Sequence, residues 1–285
     1  MEILLLFNPK ANGGRSKNTL QRTKSFLDWH QINYQILETP ENRDAAAPDW
    51  HTFDRAAIIG GDGTLHRVLN YWGVPQLPLC LISAGSGNDF SRLSHGSASL
   101  EKQLHHLLKG QIFTCDLGTC NDVWFATGVG IGFDGEIARI LQANSRFKGH
   151  LAYYLVVVMQ IFRYREKYID VEVDGEQRSG ASLLLTIGNG AEFGGGFRVT
   201  PRASFEDGIF QCCWIHEIGL LQRLFHLSKV EKGTHENLPF VSMFDGRSVM
   251  VRSNEELTCH MDGEVYQWKE FRVTMHAGAI QLIGR

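Results

Sequence analysis

The 285-residue chain predicts an α/β N-terminal half built on a parallel sheet, followed by a mainly antiparallel β half of sandwich type. Three observations predict it. Up to about residue 117, apolar runs of strand length alternate with segments of helical period, the mark of a parallel sheet with helices on its faces. Beyond that point short Val-, Ile-, Phe- and Trp-rich runs follow one another, separated by Gly or Asp-Gly turns. Finally, three apolar runs in the first hundred residues each open into a glycine-rich loop.

The elements follow in order. Ile3–Phe7 is the first strand, and the loop Asn8-Pro9-Lys10-Ala11-Asn12-Gly13-Gly14-Arg15-Ser16 leads into a helix over 16–30. A strand at 33–38 precedes the apolar run Ala56-Ala57-Ile58-Ile59, which ends in Gly60-Gly61-Asp62-Gly63-Thr64. Leu65, Val68 and Leu69 then fall on one face of a helix over 64–72. Leu79-Cys80-Leu81-Ile82 opens into Ser83-Ala84-Gly85-Ser86-Gly87-Asn88-Asp89, with a polar segment after it and a helix at 99–109. In the second half strands are expected at 124–126, 168–173, 183–187, 209–214, 248–251, 257–261, 271–275 and 280–283. Asp174-Gly175 marks a hairpin, and helices are expected near 135–143, 148–165 and 218–231. The expected domains are 1–117 and 118–285, joined directly at Asp116-Leu117-Gly118 with a cleft between them, and the last strand is free to return to the first domain.

Composition narrows the function. A net charge of −3 gives no basic field for a nucleic-acid partner. The six cysteines form no C-x-x-C pair and sit in apolar runs, as reduced core residues of a cytoplasmic protein do. Met1–Phe7 carries no basic n-region, so no cleaved leader is expected. The apolar stretch 151–162, about 12 residues, is too short to span a bilayer. Flanked by Arg146, Lys148, Arg163, Arg165 and Lys167, it reads either as a buried helix with solvated ends or as a helix near a membrane surface. Histidines show no H-E-x-x-H, Gly85-Ser86-Gly87 lacks the spacing of a nucleophile elbow, and His66 and His95 read as surface residues.

Strand, glycine loop and helix start together bring bare backbone N–H groups and a helix N-terminus against a phosphate. Glycines remove the Cβ and allow positive φ. Asp62 is the odd member of its loop, because a carboxylate repels phosphates unless Mg²⁺ lies between them or unless it takes a proton from an attacking hydroxyl. Its bland reading is a helix cap; with three glycines around it and Asp89 in a like place, the functional reading is preferred. Met261-Asp262-Gly263-Glu264 reads equally as a hairpin turn with charged corners or as a pair of reacting acids. Lys10, Arg15 and Lys17 serve equally as triphosphate counter-charges or as a solvated helix start, and Gly194-Gly195-Gly196 as a plain turn.

Six motifs stand in this order: Asn8-Pro9 with Gly13-Gly14; Gly60 to Thr64; Gly85 to Asp89; Gly130-Ile131-Gly132-Phe133-Asp134; Gly194 to Phe197 with Pro201 and Glu206-Asp207-Gly208; and Met261 to Glu264. Together they resemble the diacylglycerol kinase catalytic-domain family, which includes bacterial lipid kinases and sphingosine kinases. The glycine-aspartate pentapeptide is shared with NAD kinases. The resemblance implies an ATP-dependent, Mg²⁺-dependent kinase of lipid metabolism that phosphorylates a lipid hydroxyl. By it Asn8, Gly61, Gly63, Thr64, Gly85, Gly87 and Asn88 line the nucleotide, and Asp62 and Asp89 hold or organise Mg²⁺. Asp262 and Glu264, with Asp62, carry the chemistry; Glu206, Asp207 and the carbonyl of Ile209 match a second, structural Mg²⁺ site; and Gly194-Gly195-Gly196 approaches the cleft. Ala11-Asn12, Ser86, Thr127 and Glu206 depart from the usual residues, Glu206 by a methylene that bears on the structural metal. The alternatives are a kinase for a soluble acceptor such as NAD and a nucleotide-dependent lipid-binding protein without catalysis. A lipid acceptor implies an apolar pocket in the second half and transient membrane contact; the protein would be cytoplasmic or peripheral, and monomer and homodimer stay open.

Overall fold

A computed structural model describes the chain apart from Arg15, Arg43, 86–88, 144–149 and Gly194–Gly195; for Asn12, Asp89 and 150–153 it describes the backbone alone. The chain forms two compact units, Met1–Cys115 with Gly278–Arg285, and Asp116–Ala277. The boundary lies two residues before the expected one, and the last eight residues belong to the first unit.

In unit 1 the order is β1 (Glu2–Phe7), α1 (Ser16–Trp29), β2 (Asn33–Glu38), β3 (Arg55–Gly60), α2 (Asp62–Tyr71), β4 (Leu79–Ser83), α3 (Asp89–His95) and α4 (Leu100–Lys109). Strand β1 pairs in parallel with β2 and β3, and β3 pairs in parallel with β4, in register from Ala56–Leu79 to Gly60–Ser83. Parallel strands inside helices are apolar on both faces, hence the unbroken runs in β1, β3 and β4. One core face gathers Ile3, Leu5, Ala57, Ile59, Cys80 and Ile82 under Leu27 of α1 and Leu104 and Leu107 of α4. Helix α3 was expected only as a polar segment. Its Ser, Arg and His residues hide the period, yet Phe90, Ser91, Ser94 and His95 are buried.

Strand β5 (Gln111–Cys120) carries the chain into unit 2, which continues with β6 (Val123–Phe125), β7 (Gly128–Gly132), α5 (Phe133–Ala143), α6 (His150–Arg163), β8 (Lys167–Val173), β9 (Glu176–Gly188), β10 (Phe210–His216), α7 (Leu220–Lys232), β11 (Val241–Gly246), β12 (Ser248–Met261) and β13 (Glu264–Gly284). The pairing is antiparallel. β9 pairs β8 through its first half and β7 through its last residues, while β12 pairs β8 near Val249–Arg252 and β7 near Cys259–Met261. Two long strands therefore bend between two short ones. The bend in β12 coincides with a register irregularity between Arg252 and Leu257, the kind of bulge at which a strand kinks. The runs expected separately at 248–251 and 257–261 are thus one strand, as are those at 271–275 and 280–283. Phe125, Phe210, Trp214 and Phe271 fill the core between the strands. A second core lies under α5, α6 and α7.

All six cysteines are buried free thiols; burial pushes Cys80 and Cys120 up to about 12, so both stay protonated at neutral pH. His66 and His95, expected at the surface, are buried instead. Among the described residues no helix is long and apolar enough to cross a membrane.

Candidate active site

The parallel register of β1, β3 and β4 delivers their loops to one edge of the unit 1 sheet. Asn8, just past β1, donates from Nδ2 to Thr64 Oγ1 at 3.3 Å, so the first loop touches the glycine-aspartate loop. Its Oδ1 accepts the amide of Lys10 at 2.9 Å and its carbonyl accepts the Ser16 hydroxyl, which fixes the loop around it. Gly61 caps α2 without a side chain, and Asp62 is the first residue of the helix, where carboxylate charge meets the positive end of the dipole. Asp62 Oδ1 accepts the amide of Phe90 at 3.1 Å, tying this loop to the start of α3. Ala84 donates to the carbonyl of Gly60 at 2.8 Å beside that tie.

The glycines work through space rather than through backbone angle. Gly60, Gly61 and Gly63 do not adopt positive φ, contrary to expectation. A Cβ on Gly60 would fall inside the side chain of Thr64, so glycine is the residue that lets the buried threonine stand over the strand end. Lys10 is engaged by Glu41 at 2.6 Å, both exposed, and Lys17 is exposed. Gly85 is described; Gly87, Asn88 and Arg15 lie outside the described residues, as does the Asp89 side chain.

In unit 2 the turn between β12 and β13 carries Asp262 at φ 51° and Gly263 at φ 89°. The turn reading of Met261–Glu264 therefore holds, and its first corner does more than turn. Asp262 Oδ2 accepts the amide of Ala126 at 2.7 Å and Oδ1 accepts that of Thr127 at 2.8 Å. Glu264 Oε2 accepts from Gln142 of α5 at 3.1 Å. Buried Asn189 closes the arrangement, donating to the carbonyls of Asp116 and Ala126 at 2.8 and 2.7 Å.

Asp207 Oδ1 accepts the amide of Ile209 at 3.2 Å, and Asp116 Oδ2 accepts that of Gly208 at 2.7 Å. Burial raises the Asp207 pKa, and the like charges of Asp116 and Asp245 add to it. The Glu206 amide meets Ser204 Oγ at 3.4 Å. Among the described residues no group of three or more His, Cys, Asp or Glu side chains is arranged to hold a metal ion. Gly196 is at φ 116°, and its neighbours Gly194 and Gly195 lie outside the described residues.

The sequence reading assigned no role to Asp134 or His260. Asp134 Oδ2 accepts the hydroxyl of Thr186 at 2.9 Å, and the Nδ1 of His260 has no hydrogen-bond partner. Both line a narrow cavity of about 60 Å³ under the helices, whose other walls include Phe133, Ile137, Val157, Leu184, Phe197 and Ile215. Gly130 lies between them: a Cβ there would stand 2.6 Å from His260 Nε2 and 2.8 Å from Asp134 Cβ. Burial raises the Asp134 pKa and lowers that of His260, so the pair favours its neutral forms. The negative charges of Asp134 and Asp262 both act on His260 against that burial. Asp134 ends the Gly130–Asp134 motif and so was visible; His260 and Asn189 offered no signal beyond lying two residues before Asp262 and between two glycines.

Comparison with known proteins agrees with the two-part design. Residues 2–120 match the diacylglycerol kinase catalytic domain, and residues 127–284 match the YegS C-terminal NAD kinase beta sandwich-like domain. A diacylglycerol kinase of Staphylococcus saprophyticus is 25% identical over 272 residues, covering 91% of this chain and 88% of that protein. One from Mycobacterium tuberculosis is 27% identical over 205 residues, covering 70% and 66%. A crystal structure of a diacylglycerol kinase from Bacillus anthracis superposes with a TM-score of 0.73 at 21% identity, covering 100% of this chain and 97% of that one, which speaks for the fold. With one domain matched to each half, the chain belongs to the diacylglycerol kinase catalytic-domain family of bacterial lipid kinases.

Proposed function

We propose that this chain transfers the γ-phosphoryl group of ATP to the hydroxyl of a lipid of diacylglycerol type. The observation that carries the lipid acceptor is the cavity of unit 2, whose walls are mainly apolar, with Asp134, Arg223, His226 and His260 as their polar members. Fourteen of its eighteen wall residues are Phe, Leu, Ile or Val, which suit an acyl chain better than a soluble dinucleotide. The names of the relatives support the same class.

Phosphoryl transfer asks the protein chiefly for position and charge. The amides around Gly61, Gly63 and Gly85, the positive end of α2 and the Asn8–Thr64 contact would hold the triphosphate. Asp62 and Asp89 would hold Mg²⁺, and the oxygen donor of Asp62, fixed by the Phe90 amide, suits a hard cation that offsets phosphate charge when bound. Asp262, oriented by two amides, would accept the proton of the lipid hydroxyl. Glu264, two residues on, assists in taking the proton. The reading of an inactive lipid binder is disfavoured by the presence of all these acids.

The test is turnover of ATP with dispersed diacylglycerol, other lipid alcohols and NAD, with product mass determined. Phosphorylated lipid is expected from the unaltered chain, and a loss of at least about a thousandfold from Asp62→Ala. Phosphorylation of NAD alone, or an Asp62→Ala protein as active as the parent, would refute the proposal.

A further inference from the structure

Helices α6 and α7 each turn one side to the cavity and the other to solvent. On α7, Arg223, Leu227 and Val230 line the cavity, whereas Leu221 is 80% exposed and Phe225 74%, with Leu220 and Leu224 also exposed. On α6, Val157 and Ile161 line the cavity, whereas Leu155 and Phe162, seven residues apart and so on one stripe, are 56% and 57% exposed. Among the described residues, six of the eleven exposed large hydrophobics are on these two helices. Such clustering marks an interaction surface. The helices are also tied together: Arg223 donates to the carbonyls of Ile161 and Tyr164 at 3.1 and 2.9 Å and pairs with Glu166.

Charge indicates the partner. Arg163 and Arg165 are exposed at the end of α6, and Lys229 and Lys232 stand in the last turn of α7, with the Lys229 ammonium 5.9 Å from the centre of the Phe225 ring. Against these four cations stand Glu217 and Glu231, Glu166 being engaged by Arg223. A locally cationic, apolar helix pair on a chain of net charge −3 suits a surface that is apolar inside and anionic at its edge. We infer that α6 and α7 form the face on which this protein docks to an anionic lipid bilayer, with Leu155, Phe162, Leu221 and Phe225 entering the headgroup region and Arg163, Arg165, Lys229 and Lys232 meeting lipid phosphates. The inference deepens the lipid-kinase reading and rests on it, because these helices wall the cavity that the acceptor would occupy.

The test is flotation of the full chain, without ATP, on vesicles of phosphatidylcholine alone or mixed with phosphatidylglycerol. Binding is expected to the mixed vesicles, weaker to the neutral ones and weakened by salt. Leu221→Glu with Phe225→Glu, and separately Lys229→Glu with Lys232→Glu, should each lower binding about tenfold or more. All four positions lie outside the cavity wall, so phosphorylation of a short-chain diacylglycerol dispersed as monomers should continue in both variants. Equal flotation of parent and variants would overturn the inference. So would light scattering that finds a dimer split by the Leu221→Glu, Phe225→Glu pair without any vesicle binding, since the face would then belong to a second copy. If vesicles bind as expected but no lipid is phosphorylated by any form, the docking face stands and the kinase reading fails.

Discussion

Asp262 is both a corner and a candidate reactant, and the two parts can be separated by substitution. Its left-handed backbone is tolerated by Asn and strained for Ala, and its oxygens hold the amides of Ala126 and Thr127. Asp262→Asn should keep the turn and one of the two amide bonds while losing phosphoryl transfer. Asp262→Ala should lose transfer and also about 1–3 kcal/mol of stability, because two buried-side amides lose their acceptor; denaturant midpoints of the two variants check this. His95 gives a pH prediction. Burial, with His106 adding its like charge, lowers its pKa from 6.5 to about 4, beside Cys80 and with Nδ1 2.9 Å from His106. The unfolded chain therefore binds the proton first. This contribution to stability is complete above pH about 6.5 and is lost as pH falls toward 4, by at most on the order of 3 kcal/mol. In urea titrations across that range His95→Gln should flatten the acid limb; an unchanged slope would contradict the assignment.

At the scale of elements, the glycine-aspartate loop predicts its own sensitivity. Gly60→Ala must displace Thr64, which also contacts Asn8, so it should cost about 1–3 kcal/mol and weaken nucleotide binding in the same protein, as thermal melts with and without ATP would reveal. The loops were legible because β1, β3 and β4 are unbroken apolar runs, each followed by a glycine-containing loop, a pattern fixed by neighbours in sequence. Elements set by distant partners were not. β7 reads Gly-Val-Gly-Ile-Gly, a turn by composition, and is a strand because β9 and β12 flank it. β5 and β11 went unread, and β12 and β13 were each cut in two, at the register irregularity in the one and short of the Gly278 bend in the other. The candidate site divides in the same way: Asp62, Asn8 and Thr64 announce themselves by motif, whereas the contact of Asp262 with Thr127 spans 135 residues and that of Thr186 with Asp134 spans 52. No local pattern encodes such meetings.

For the molecule as a whole, each unit has its own core and its own acids: glycine loops at a parallel sheet edge in one, a braced turn and a largely apolar cavity in the other. Neither half alone specifies a lipid kinase, since the first would serve any nucleotide and the second any amphiphile. Filling the second should be separable from using the first. Ile137→Trp, which puts a ring into the cavity, is expected to raise the Michaelis constant for lipid at least about tenfold while leaving that for ATP unchanged. Equal changes in both would mean a general loss of fold. The most direct measurement of the central claim offers radiolabelled ATP, Mg²⁺, diacylglycerol and NAD together to the unaltered chain and to Asp262→Asn, then partitions the label between organic solvent and water. Label in the organic phase from the unaltered chain and none from Asp262→Asn is the predicted result; label that stays with water-soluble products in both would contradict it.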